Sequence, residues 1–270
     1  MRIMSNLPAL NASRTLSMNQ YRMSVAMERL SSGYRINRAA DDPAGLSISE
    51  RMRAQIRGLQ QSARNIQDGI SLIQVAEGAM QEMHAMLQRM NELAVQASNG
   101  TYNDSDRKSM QKEFDLLRTA INDIAKNTQF NGNHLLNGGL PIHINTLGQN
   151  GHGLDLERPE VTSSMLGLTG LDISTQNGAS DALSSLKTAM STVSTERAKL
   201  GASQNRLEHT YNFVMNYVEN LTAAESRIRD ADMAKEMMEL ARARVLESVG
   251  LAILAQANSF PKSILKLLEI

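Results

Sequence analysis

This chain has no cysteine, no tryptophan and few aromatic residues of any kind: Phe, Tyr and Trp make up 3% of its 270 positions. Without cysteine there are no disulfides and no thiolate metal sites, and the redox compartment stays open. So few aromatics argue against thick globular cores. Met, Ala, Leu and Ile supply most of the apolar surface, which suits thin seams between helices. Net charge is absent as well, with 28 Lys and Arg against 28 Asp and Glu, so nothing pulls the chain in bulk toward nucleic acid or an anionic membrane. The longest apolar run, around Val249 to Ala255, is far too short to span a bilayer, and no membrane insertion is expected. Arg2 is followed by polar residues with no apolar h-region, so no cleaved signal peptide is expected either. Composition alone therefore predicts a cytoplasmic protein, or one secreted without a cleaved signal.

The charge that is present is unevenly placed. Residues 1–60 hold nine Arg against Glu28, Asp41, Asp42 and Glu50. That excess fits solvated helix faces or pairing with a partner surface equally well.

What the chain does have is heptads. From Leu183 the spacing alternates three and four through Leu186, Met190, Val193, Arg197, Leu200, Gln204, Leu207, Tyr211, Val214, Val218, Leu221, Glu225 and Ile228. Met52, Ile56, Leu59, Ala63, Ile66, Ile70 and Ile73 form a matching stripe in the first half. Stripes of this kind bury against other long helices, so the fold class is mainly α, a long antiparallel helical bundle or coiled coil. Such a chain is a rod, and rods are usually parts of assemblies.

A first helix over roughly 5–31 carries Leu16, Met23 and Leu30 seven apart and ends at Gly33. After a non-periodic stretch, Asp41-Asp42-Pro43 has the order of a cap followed by a first-turn proline. The second helix runs to about Gln96, roughly 75 Å at the α-helical rise. Its stripe shifts near Ile73 to Ala76, Met80, Met83, Leu87, Met90 and Ala94, with Leu72, Val75, Ala79 and Met86 as a second apolar strip. A third helix, capped around Asn103 to Ser105, carries Met110, Phe114, Leu117, Ile121 and Ile124.

Between about 129 and 178 the pattern changes. Asn-Gly at 131–132, 137–138, 150–151 and 177–178 signals turns. Ile142 and Ile144 alternate before Asn150-Gly151, and Leu154 and Leu156 after it, predicting a small β-hairpin at the tip of the bundle. The fourth helix starts near Ser180 and breaks around Arg229 to Asp232. A terminal helix carries Leu246, Val249, Ile253, Ala257 and Phe260, with a kink or restart expected at Pro261.

Catalytic and metal chemistry find no foothold in this pattern. His84, His134, His143, His152 and His209 make no HxxxH or HExxH spacing. Asp104-Ser-Asp106 lacks the glycine and distal glutamate of a calcium loop and reads as a helix cap. No Gly-rich segment is followed by the Lys-Ser/Thr of a phosphate loop, and no nucleophile elbow frames a serine. The Met-rich stripe reads as core rather than as a peptide groove. No enzyme activity and no cofactor are expected.

Three segments go beyond a long bundle: LSSGYRINRAADDPAGL at 30–46, TQFNGNHLLNG at 128–138 and SRIRDADMA at 226–234. In this order, with ILAQANSFPKSILKLL closing the chain, they closely resemble bacterial flagellin over nearly all of 1–138 and 178–270. The middle, often a large set of outer domains in that family, is here reduced to about 40 residues.

The resemblance implies an extracellular filament subunit, exported unfolded through the flagellar export apparatus and polymerised beneath a cap. It implies a core domain of 1–33 with 230–270, a connector of 34–45 with 226–232, and a rod domain of 46–229. Expected partners are further copies of itself, the flagellar cap, junction proteins and an export chaperone. Self-assembly would fall to Leu16, Met23, Leu30, Leu246, Val249 and Ile253, stripes too short for a stable isolated pair and completed by neighbours. In the connector, Arg35, Arg38, Asp41 and Asp42 would meet Arg227, Arg229, Asp230 and Asp232. LQRMNELAVQ at 87–96 resembles the flagellin segment gripped by the flagellin-recognising Toll-like receptor, which implies roles for Gln88, Arg89, Leu93 and, from the next helix, Glu113; packing within the rod is the alternative for Leu93.

Two other readings compete. A hook–filament junction protein shares flagellin-like ends, but TQFNGNHLLNG and the short length favour flagellin. A cytoplasmic helical signalling hairpin shares the heptads but needs no Asn-Gly-rich middle.

Overall fold

The computed structural model describes residues 6–147 and 153–268, with side chains as far as Ser259 in the last helix. Five helices occur among the described residues: α1 (Leu7–Ser32), α2 (Pro43–Ser98), α3 (Asp104–Asn127), α4 (Gln176–Arg229) and α5 (Met233–Leu268). Two small antiparallel pairs lie between α3 and α4: β1 (Gln129–Phe130) with β2 (Asn133–His134), and β3 (Ile142–Asn145) with β4 (Gly153–Leu156). The chain divides into two compact units, Met1–Ala54 with Asn220–Ile270, and Gln55–Glu219.

Local chemistry explains the helix ends. The Asn6 side chain accepts from the Ala9 N–H at the start of α1, and Gly33, at φ +76, closes it with its N–H on the Arg29 carbonyl. Asp42 caps α2 through its carboxylate on the Gly45 N–H, 2.9 Å, leaving Pro43 in the first turn as the Asp-Pro order predicts. Asn103 caps α3 by accepting from Asp106 N–H.

In the second unit the heptads become core. Leu186, Val193, Leu200, Leu207 and Val214 of α4 are buried, as are Leu59, Ile66, Ile73, Met80, Met83, Leu87 and Met90 of α2 and Phe114 and Ile121 of α3. The second strip on α2 is only partly used: Leu72 is buried and Val75 exposed. The helices are antiparallel. Gln67 donates to the Tyr211 hydroxyl at one level, Arg197 reaches Glu77 at the next, and Arg89 pairs with Glu113 of α3. Arg107 of α3 is buried, its guanidinium on the carbonyls of Ala97 and Asn99 at 2.9 and 3.1 Å, so it satisfies the C-terminal end of α2.

Three expectations need correction. The β3–β4 hairpin forms with Ile142 opposite Leu156 and Ile144 opposite Leu154, but it is not at the tip of the bundle. Ile144 sits on Gly69, in mid-α2, where a Cβ would stand 2.5 Å from Ile144 Cδ1 and 3.4 Å from Leu207 Cδ1. That bare glycine makes the seat, while the end of the bundle is the α2–α3 turn. The Asn150-Gly151 turn lies outside the described residues. Asn177-Gly178 is no turn: α4 starts at Gln176, and Thr175 Oγ1 accepts from the Gly178 N–H, so the pair occupies a first helical turn that tolerates both residues. Nor does the last helix restart at Pro261, since α5 runs on to Leu268 and a proline removes only one backbone donor. By contrast, Asn131-Gly132, both at positive φ, does turn β1 into β2.

Candidate assembly surface

The first unit pairs α1 with α5 in antiparallel fashion. Asn6 donates to the Ala257 carbonyl at 2.8 Å, Gln20 to Glu247 at 3.3 Å and Arg29 to Glu236 at 3.1 Å. The inward residues of α1 are Leu16, Asn19 and Ala26, buried, with Ala12, Met23 and Leu30 half-buried. On α5 the inward line is Glu236, Leu240, Ala243, Glu247, Gly250, Leu254 and Ala257, again spaced by four and three. Leu16 Cδ1 lies 3.4 Å from where a Cβ on Gly250 would be, so the helices approach through a small residue. This seam is thin and partly polar, and it includes a buried Asn19 and a buried Glu236.

Leu16, Met23 and Leu30 thus sit in the seam, whereas Leu246 lines a groove beside it with Asn19 and Ala26 of α1, and Val249 and Ile253 lie outside it. Leu246, Val249 and Ile253 are exposed, along with Leu7, Leu10, Met18, Tyr21 and Met27 of α1 and Met233, Met237, Met238, Val245 and Leu251 of α5. The side chain of Phe260 lies outside the described residues. Choosing the largest apolar side chains at heptad spacing selects the outer face of α5. A second heptad, Glu236, Ala243 and Gly250 interleaved with Leu240, Glu247 and Leu254, marks the inner one, and its small and polar members hide it from a search for large apolar residues.

In the connector, the chains before α2 and after α4 meet through backbone. Tyr34 and Asp230 bridge as an isolated antiparallel pair, with Arg35 N–H on the Arg229 carbonyl at 2.7 Å and Ala231 N–H on Gly33 at 2.9 Å. The Arg35 guanidinium also donates to the Ile228 carbonyl. The ion pairs differ from the expected set. Arg38 makes a two-pronged pair with Glu28 of α1, at 3.0 and 3.1 Å, rather than with Asp230 or Asp232. Asp41 turns to the N–H groups of Asn37 and Arg38, and these two bonds, the Arg38 one foremost, lower its pKa. Asp232 caps α5 through the N–H groups of Ala234 and Lys235. Arg229 is mostly buried, 2.6 Å from Glu50 and 5.0 Å above the Tyr34 ring. Short acidic side chains satisfy nearby backbone donors before they can reach a distant arginine, which is why Asp41, Asp42 and Asp232 act locally.

A groove of about 540 Å³ opens between α1, α5 and the connector, with Arg22, Arg29, Arg35 and Arg227 facing Asp230, Asp232 and Glu236. Lys235, Arg242 and Glu239 complete its charged lining, which carries both signs, and Arg29 is already paired with Glu236.

In the second unit, Gln88 and Arg89 are exposed, and Arg89 holds Glu113 at 2.9 Å and Glu92 at 3.0 Å. The Glu113 bond, first of several, raises the Arg89 pKa further. Leu93 is buried, in line with its packing alternative. Among the described residues no group of three His, Asp or Glu side chains is arranged to hold a metal, and no helix is long and apolar enough to cross a membrane.

Comparison with known proteins matches these features to one family. The model of the bacterial flagellin N-terminal helical region matches residues 3–139, and that of the C-terminal helical region matches 183–268. A flagellin of Halalkalibacterium halodurans is 49% identical over 98% of each chain. One of Bacillus subtilis is 44% identical over the full length of both. The crystal structure of Bacillus cereus flagellin is similar at a TM-score of 0.53 and 34% identity, covering 60% of this chain and 94% of that one. With both ends of the chain matched and flagellins this similar over nearly its whole length, this chain belongs to the bacterial flagellin family.

Proposed function

We propose that the chain is the structural subunit of an extracellular bacterial flagellar filament, and that copies meet through the outer faces of α1 and α5. One observation carries the second half of this reading: the terminal helices bury a thin, partly polar seam around Leu16 and Leu240 and leave most of their large apolar side chains outside. Fully covering a Leu, Val or Ile contributes roughly 1.5–3 kcal/mol. Leu246, Val249 and Ile253 are partly exposed and repeat in every copy, so a polymer gains what a monomer lacks. An apolar surface this extended on a lone chain marks an association site.

On this reading residues 1–33 with 230–270 form the assembling domain, 34–45 with 226–232 the connector and 46–229 the rod domain. Leu16, Met23 and Leu30 hold the terminal pair together from inside, and the α5 residues face the neighbour. The high identity to flagellins over the whole length supports the filament subunit over a hook–filament junction protein. The cap, the junction proteins, the export chaperone and the export apparatus are the further partners this role requires.

Electron microscopy of purified protein after salting or seeding tests the reading. Helical tubes are expected, and a persistent soluble monomer would overturn it.

Should a flagellin-recognising Toll-like receptor grip the subunit, the exposed Gln88, Arg89 and Glu113 are the contacts the resemblance of 87–96 supports. Arg89, already oriented by two carboxylates, suits a central contact, while buried Leu93 acts only by fixing the helix beneath it. Arg89→Ala should lower receptor activation, and an unchanged response removes the assignment.

A further inference from the structure

The described methionines differ widely in exposure, and most of the exposed ones gather on the terminal helices. Met80, Met83 and Met90 are fully buried in the three-helix unit. Met165 and Met215 of that unit are exposed, and so are five on the terminal helices, Met18 and Met27 of α1 and Met233, Met237 and Met238 of α5, which are between 44% and 67% exposed. A thioether is a polarisable apolar contact group, and one added oxygen turns it into a polar, chiral sulfoxide.

We infer that these five methionines are an oxidation site at which a peroxide stops unassembled subunits from polymerising. The inference rests on the filament reading. In the reaction the sulfur lone pair attacks one oxygen of hydrogen peroxide and the O–O bond breaks. The sulfur keeps that oxygen as a sulfoxide, and the other leaves as water once protonated. Sulfur loses two electrons and the peroxide gains them, so no other reactant is required. Accessibility sets the order of attack: the terminal thioethers meet peroxide directly, while Met80, Met83 and Met90 wait for the bundle to open. Monomer folding is spared, because the five side chains are exposed and lie outside the inward line of the α1–α5 seam. The contact between copies is not spared, since each sulfoxide places a strong acceptor dipole on a face that must become dry. Once copies have joined, the same side chains are covered and the site closes.

The test treats full-length monomer with hydrogen peroxide, locates sulfoxides by peptide mass spectrometry and follows salt-induced polymerisation by light scattering. Sulfoxide should accumulate at Met18, Met27, Met233, Met237 and Met238 at least tenfold faster than at Met80, Met83 and Met90. Polymer yield should fall severalfold while far-ultraviolet helicity is unchanged. The variant carrying Leu at all five positions should polymerise before and after peroxide alike. Filaments formed before treatment should stay intact with the five thioethers unoxidised. Undiminished polymerisation of monomer oxidised at the five positions overturns the inference, as does equal peroxide sensitivity of the five-Leu variant or equal oxidation in filaments. Untreated protein that never polymerises overturns the filament reading itself, and this inference with it.

Discussion

The two units of this chain use the same heptad grammar for opposite purposes. In Gln55–Glu219 the large apolar residues point inward: Leu87, Met90, Phe114, Leu186 and Leu207 are fully buried, and charged residues such as Arg89 and Glu113 stay outside. In the unit built from both chain ends the order is reversed. Asn19, Ala26, Glu236 and Ala243 line the seam, while Leu10, Val249 and Ile253 face out. A helix pair whose seam mixes Leu16 and Leu240 with small and polar side chains, and which shows most of its large apolar ones, is half of a contact. The first arrangement yields a unit complete in one copy, and the second, on the proposed reading, an interface that exists only between copies.

Paired substitutions put this contrast to the hardest test. Phe114→Ala empties a fully buried site in the second unit and should cost about 3–5 kcal/mol, read as a lower denaturation midpoint of the monomer. Val249→Ser with Ile253→Ser changes exposed positions, so monomer stability should move by no more than about 0.5 kcal/mol. Filament yield should nevertheless collapse. A double-serine variant that polymerises normally would remove the outer face of α5 from the interface. One that melts early would show that the face is already covered within the monomer.

The connector ranks next. Arg229→Ala loses the Glu50 pair and the contact over Tyr34, together worth about 1–2 kcal/mol. Arg38→Ala loses only an exposed pair with Glu28 and should cost under about 1 kcal/mol. Monomer helicity should survive in the double variant, because the backbone bridge from Tyr34 to Asp230 and the Arg35–Arg229 bond remain. Filament formation should be impaired, as the side chains that set the register of the connector are gone. Normal filaments would mean that the backbone bridge alone sets it.

The contrast between units also explains what could be read from the residues. Leu186, Val193, Leu200, Leu207 and Val214 recur every seven residues and are buried where that period puts them, since a stripe covered within the same chain leaves one solution. On α5 the same rule selects Leu246, Val249 and Ile253 and, on α1, Leu16, Met23 and Leu30, and assigns both stripes alike to neighbouring copies, although the α1 residues sit in the seam. Periodicity shows that a face is apolar but not whose surface covers it. The hairpin strands were legible from Ile142, Ile144, Leu154 and Leu156, but their seat was not. It depends on Gly69 leaving a gap beside Leu207, and a lone glycine in a heptad pattern gives no sign of what will occupy it. Arg107 escaped notice for a related reason: a guanidinium that satisfies carbonyls eight and ten residues earlier is visible only once α2 has ended and α3 has turned back on it. Of the four residues expected to cross the connector as charges, Asp41 and Asp42 bond within their own turn, Arg38 turns to Glu28, and Arg35 reaches across to the Ile228 carbonyl.

Asp41 provides the smallest effect and the finest probe of that local bonding. Its carboxylate accepts the N–H groups of Arg38 and Asn37, which favours the charged form and lowers its folded pKa below the ordinary carboxylate value. With the folded pKa below the unfolded one, the unfolded chain binds the proton first as pH falls. Stability from Asp41 is then fully present above its ordinary, unfolded pKa and drains away as pH drops through the lowered folded value. Asp41→Asn lacks that charge and should melt below the parent at neutral pH. The gap should narrow on acidification and vanish once both states of the parent are protonated. Melting curves of parent and variant from neutral pH down into the acid range follow this gap directly. A gap that stays constant with pH would assign the role of Asp41 to the shape of its turn rather than to its charge, and the connector would then rest on backbone geometry alone, unlike the charged Arg229–Glu50 contact beside it.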